Sequence, residues 1–125
     1  MPRPLLDDAH THPAIRNRIA THQQAIVREV QAAVDAHAVV VVGMGMNPFP
    51  KKARKALDAA GMAHHDLDYG NYFSQWRERN ALKMWTGWPT LPMVFVRGTL
   101  VGGADDLNKL IANGELKAML ADLNG

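Results

Sequence analysis

Three groups of residues in this 125-residue sequence could do chemistry. The first is Gly102-Gly103-Ala104-Asp105-Asp106, a double glycine running into an acidic helix start. A helix N-terminus carries free backbone N–H groups and suits a small anionic ligand. Trp85-Thr86-Gly87-Trp88-Pro89-Thr90-Leu91-Pro92, a stiff loop with two prolines three residues apart, would form the other wall of such a site. The second group is the histidines. His10 and His12 lie in an N-terminal arm, His22 and His37 are isolated, and His64 and His65 are adjacent on a strand. Adjacent strand residues face opposite ways, and a zinc site needs three or four converging ligands, so no metal site is expected. The third is Met44 and Met46, a soft pair suited to Cu(I) in principle and to flexible packing more simply. Neither a serine–histidine–acid arrangement nor a phosphate loop is visible. The chain contains no cysteine. That excludes disulfides, thiolate nucleophiles and cysteine-ligated clusters built from these residues.

The elements that must position these groups follow from periodicity. Residues 1–13, with Pro2, Pro4 and Pro13, form an arm, and residues 14–125 form the domain. From Ala14 to Ala36 neither proline nor glycine interrupts, and Ile15, Ile19, Ile26, Val30 and Val34 recur at helical spacing. Ala38–Val42 is a continuous apolar run, as in a strand covered on both faces. Gly43-Met44-Gly45-Met46 turns the chain. Asn47 caps a helix that carries Pro48 at its first position and Pro50 in its first turn, and Gly61 closes it. Met62–Asp68 reads as a second strand. Asn71–Met84 reads as a helix with Phe73, Trp76, Ala81 and Leu82 on its buried face. Met93–Val96 and Leu100–Val101 form a hairpin around Arg97-Gly98-Thr99. A helix through Leu107, Leu110 and Ile111 pauses at Asn113-Gly114, and a last helix carries Leu116, Met119, Leu120 and Leu123. The first two strands flank a helix and should be parallel. The predicted fold is α/β, a four-stranded mixed sheet between helices.

Composition agrees with one soluble domain: 47% hydrophobic, 21% charged and a formal charge of +2. That charge is too small to argue for nucleic acid. No apolar run approaches the roughly 20 residues of a membrane helix, and the first residues hold no signal-peptide stretch. A cytoplasmic location is the default expectation.

The order of elements is similar to the thioredoxin fold, and the motifs narrow the likeness. Trp88-Pro89-Thr90-Leu91-Pro92, Phe95-Val96-Arg97-Gly98, Gly102-Gly103-Ala104-Asp105 and Asn113-Gly114-Glu115-Leu116 resemble the C-terminal half of a glutaredoxin, over residues 38–120. The Trp-Pro-Thr-x-Pro form, and Arg79-Asn80-Ala81-Leu82-Lys83 ahead of it, resemble the monothiol, iron–sulfur-handling branch. The expected fold is thus thioredoxin-like with an extra N-terminal arm and helix. Asn47-Pro48-Phe49-Pro50 stands where the family has Cys-Pro-Phe/Tyr-Cys. Asn47 replaces the nucleophile, Pro50 the second thiol, and Met44 the lysine usual shortly before the nucleophile.

The resemblance implies a glutathione groove. Leu91, before a cis Pro92, would pair its backbone with the cysteinyl unit, beside Thr90. Gly103, Ala104 and Asp105 would hold the γ-glutamyl end. Arg79, or less directly Lys51, would pair with the glycine carboxylate. Structural readings compete: Thr90, Pro92 and the glycines as shapers of the fold, Asp105 as a helix-start carboxylate, Arg79 as a solvated helix arginine. An amide neither attacks sulfur nor replaces a thiolate on a [2Fe–2S] cluster. The expectation is a redox-inactive binder of glutathione or a protein segment, acting in thiol or iron–sulfur metabolism, with no iron–sulfur cluster. The alternatives are a glutaredoxin-class oxidoreductase or cluster carrier working through other groups, and an interaction module. The module would use a Trp85/Trp88 surface or form a homodimer.

Overall fold

The structure is a computed structural model that describes residues 8–16, 24–71 and 74–121. Residues 1–7 of the expected arm, Ile19, Phe73 and Leu123 lie outside the described residues. A 3₁₀ turn at Asp8–His10 and a helical turn at 13–16 precede the domain. Then come α1 (Gln24–Ala36), β1 (Val39–Gly43), α2 (Pro48–Ala59), β2 (His65–Asp68), α3 (Trp76–Thr86), β3 (Met93–Val96), β4 (Thr99–Gly102), α4 (Ala104–Ala112) and α5 (Glu115–Ala121).

The four strands form one mixed sheet in the order β2-β1-β3-β4. β1 pairs with β2 in parallel and with β3 antiparallel, Val42 opposite Met93. β3 and β4 close a hairpin in which Val96 faces Thr99. Its two turn residues, Arg97 (φ 52) and Gly98 (φ 84), both lie at positive φ. That is the turn whose twist matches paired strands. The fold is thioredoxin-like, as expected.

All four valines of β1 are buried because the sheet is covered on both sides. Val40 and Val42 pack with Ile26 and Val30 of α1 and Ala81 and Leu82 of α3. Val39 and Val41 pack with Ala53 and Leu57 of α2, Leu107 of α4 and Leu116 of α5. Alternate side chains of a strand point to opposite faces, so one apolar run supplies two cores. Truncating a fully buried leucine such as Leu57 to alanine costs about 2–5 kcal/mol.

Two boundaries differ from the sequence reading. β2 is shorter than Met62–Asp68, its outer side chains being charged as befits an edge strand. α3 starts at Trp76, not Asn71, because Gly70 (φ 66) and Gln75 (φ 53) turn the chain first. Trp76 is consequently exposed rather than buried, while Ala81 and Leu82 are buried as expected. Ile15, assigned to the buried face of the first helix, is also exposed.

Candidate functional site

The sheet topology brings three loops to one edge. β1 ends where β3 begins, since the two are antiparallel, and β4 ends there too. The loop from β1 into α2, the proline loop before β3 and the start of α4 therefore meet. They enclose a groove of about 470 Å³, within the size range of small-molecule sites. Asn47, Thr90, Leu91, Pro92, Gly103, Ala104 and Asp105 all line it.

Each wall is fixed locally. Asn47 is the N-cap of α2: its side-chain oxygen accepts the Phe49 N–H at 3.0 Å, and Pro48 holds the first helical position. Its Nδ2 donates to the Leu91 carbonyl at 3.5 Å, joining the helix start to the proline loop. Leu91–Pro92 is a cis peptide bond. Thr86 anchors the front of that loop, donating from Oγ1 to Leu82 O at 2.8 Å and accepting the Trp88 N–H at 3.1 Å. Trp88 lies half-buried against Gly103: a Cβ there would sit 3.7 Å from its ring. The Trp88 indole N–H is buried without an acceptor among the described residues.

At the third wall, the Asp106 carboxylate accepts the Gly103 N–H at 3.0 Å. The Gly103 N–H is therefore used within the chain, and the N–H groups of Ala104 and Asp105, which the helix itself leaves free, remain for a ligand. Gly102 (φ 115) is required where it stands, because an added Cβ would meet Asp106 Oδ2 at 2.5 Å.

Arg79 is not the solvated helix arginine of the structural reading, and the structure does not bring it into the groove lining. It is 7% exposed and lies outside the groove lining. Its Nη1 donates to the carbonyls of Tyr69, at 2.9 Å, and of Ser74. The loop after β2 turns its carbonyls inward with no strand partner, and a buried guanidinium supplies the missing donors. That loop in turn supports the site. Tyr69 N–H bonds Gly43 O at 3.0 Å, and Gly45 N–H bonds Gly70 O at 2.7 Å. The Tyr69 hydroxyl donates to Glu29 at 2.7 Å, and burial together with that carboxylate pushes its pKa up. Arg79 is thus a positioning residue for the Met44–Asn47 loop.

Among the described residues, the cation that lines the groove is Lys83, one helical turn beyond Arg79. Sequence reasoning missed it, although residues four apart share a helix face and Lys83 stands in the motif from which Arg79 was chosen. Met44 also lines the groove, whereas Lys51 does not. Pro50 is buried beneath Gly43, whose added Cβ would lie 2.7 Å from it. The second-thiol position therefore faces β1. Trp85 stacks on Phe95 at a 6.1 Å centroid distance and is 37% exposed; it does not share a wall with Trp88. Among the described residues no histidines or carboxylates converge as a metal site, and no helix is long and apolar enough to cross a membrane.

Residues 39–101 match the family model Glutaredoxin. The chain is 44% identical over 102 residues to a glutaredoxin-like protein of Dictyostelium discoideum, covering 82% of this chain and 83% of that protein. The protein belongs to the glutaredoxin family. It is also 38% identical over 72 residues to a probable monothiol glutaredoxin 2 of Rickettsia felis, covering 58% of this chain and 66% of that one. The oxidized glutaredoxin 2 of Chlamydomonas reinhardtii superposes with a TM-score of 0.68 at 29% identity, over 80% of this chain and 94% of the other. A buckwheat glutaredoxin–glutathione complex shares the fold, with a TM-score of 0.69 at 23% identity over 81% and 92% of the two chains. This is a glutaredoxin-family chain with no cysteine among its 125 residues.

Proposed function

We propose that this protein binds glutathione non-covalently and performs neither thiol–disulfide exchange nor cluster transfer. The observation that carries the reading is the groove itself. It retains the proline loop, the free N–H groups at the start of α4, and Asp105, while the position facing them is Asn47. The γ-glutamyl carboxylate would take the Ala104 and Asp105 N–H groups, aided by the helix dipole. Its ammonium would pair with the Asp105 carboxylate. The glycine carboxylate would reach Lys83, and the cysteinyl unit would lie along Leu91. Disulfide exchange needs a thiolate to form the mixed disulfide, and Asn47 has no thiol to ionise.

Affinity on the order of 0.1–1 mM is expected, measured by calorimetric titration with reduced glutathione. Asp105→Ala should weaken it about tenfold through loss of one charge-assisted pair. Absence of heat up to millimolar ligand would remove the glutathione reading. Asn47→Cys adds the complementary test. It should gain a glutathionyl adduct with oxidised glutathione, detected by mass spectrometry, and measurable glutathione-dependent disulfide reduction. Disulfide reduction by the cysteine-less chain would instead favour chemistry through other groups.

A further inference from the structure

The end of the groove at the start of α2 offers few hydrogen-bond donors. An α-helix start leaves four backbone N–H groups without intrahelical partners, and at α2 three of these are closed. Pro48 and Pro50 have none, and the Phe49 N–H is taken by Asn47 Oδ1 at 3.0 Å. An anion at this helix start, whether thiolate, sulfinate or sulfonate, meets almost no donors. One of the two Asn47 Nδ2 protons is directed at the Leu91 carbonyl, at 3.5 Å. The surrounding surface is apolar. Met44, 8% exposed, and Phe49, 48% exposed, line the groove on this side, and Met46 stands 65% exposed on the same loop. Lys52 lies outside the lining, its Nζ 5.3 Å from the centre of the Phe49 ring. Lys83, the cation in the lining, comes from α3 and is assigned above to the glycine carboxylate.

Resting on the glutathione reading above, we infer that the preferred ligand class is glutathione S-conjugates, thioethers whose sulfur carries an apolar carbon group. In a thiol-bearing site the ligand sulfur must stay accessible to form a disulfide, which forbids a permanent substituent. Here no bond to sulfur forms, so a substituent is tolerated. Met44 and Phe49 offer it apolar surface, and methionine adapts to irregular shapes. A charged or oxidised sulfur would lose more water there than the few remaining donors replace.

The test is a calorimetric titration of the full chain with three probes: reduced glutathione, S-hexylglutathione and glutathione sulfonate. S-hexylglutathione should bind about tenfold or more tighter than reduced glutathione, equivalent to burying roughly two methylene groups. Glutathione sulfonate should bind no tighter than reduced glutathione. Met44→Lys should reduce the hexyl advantage severalfold and improve sulfonate binding, with the fold checked by circular dichroism. If reduced glutathione binds but the hexyl derivative binds equally or more weakly, this inference fails and the glutathione reading stands. If no glutathione form binds, both fail. A sulfonate that outbinds the thioether would also overturn the neutral-sulfur argument.

Discussion

The placement of Arg79 and Lys83, one turn apart on α3, makes a sharp prediction. Arg79→Met keeps most of the apolar stem and removes the donors. The wild-type Nη1 bonds two loop carbonyls, those of Tyr69 and Ser74, from a side chain only 7% exposed. Hydrogen bonds from a charged group contribute about 1.5–3 kcal/mol each. Part of that is offset, because the variant no longer buries a charge. The net loss should be about 2–4 kcal/mol. For a chain of this length each kcal/mol shifts Tm by roughly 3–5 °C, so Tm should fall by about 10 °C. Lys83→Met should leave Tm within about 2 °C, as expected for a partly exposed position whose side chain has no structural partner among the described residues. It should weaken glutathione binding about tenfold by removing a charge-assisted contact.

Thermal unfolding followed by circular dichroism, with titrations performed well below either Tm, separates the two. Arg79→Met differs from Lys83→Met in the critical respect: its binding loss comes with a stability loss, since Arg79 acts through the 69–74 loop that holds Gly45. An Arg79→Met protein that melts with the parent yet loses glutathione would refute the assignment. It would return the carboxylate contact to Arg79.

Other predictions rest on separate features. His64 has Nε2 2.8 Å from Asp58 and Nδ1 2.6 Å from Asp66, so satisfying both carboxylates requires both ring protons. Burial lowers its pKa, but the two hydrogen bonds and charges outweigh that and hold it above the ordinary value. The clamp therefore stabilises fully below about pH 6.5, and that stability is lost as pH rises through the folded value. A decline of roughly 1 kcal/mol in urea-unfolding stability on the alkaline side is expected, absent in His64→Gln. Gly102→Ala places a Cβ 2.5 Å from Asp106 Oδ2 at a φ of 115. It should cost about 2–3 kcal/mol from backbone strain and loss of the cap, read as a lower urea midpoint. An unchanged midpoint would mean that Asp106 is not needed at the start of α4.

The sequence carried the architecture wherever backbone chemistry leaves few choices. Continuous valines require a sheet covered on both faces, Asn47-Pro48 caps a helix, and Gly102-Gly103 permits a sharp entry into α4. What it did not carry depends on where a loop puts its carbonyls. Nothing in Arg79-Asn80-Ala81-Leu82-Lys83 says that the arginine turns inward, because its acceptors, Tyr69 O and Ser74 O, are created by the loop geometry. The late start of α3 had the same origin, and with it the exposure of Trp76. His64 and His65 were read as neighbours on a strand, whereas β2 starts at His65 and the partners of both were hidden. Asp58 comes from the end of α2, and His65 stacks on His37 from beyond α1 at 4.1 Å.

This division bears on function. Pro92, Gly102 and Gly103 serve the backbone path whether or not a ligand binds, so their presence alone discriminates weakly between a working groove and an inherited fold. Arg79 now joins them on the structural side. Lys83 and Asp105 are different: both line the groove, and among the described residues neither side chain makes a hydrogen bond or ion pair that the fold requires. These are the two charges in the groove that a ligand, and not the fold, would use. Substituting both should therefore abolish glutathione binding while leaving Tm nearly unchanged, whereas a purely structural module would show no binding to abolish.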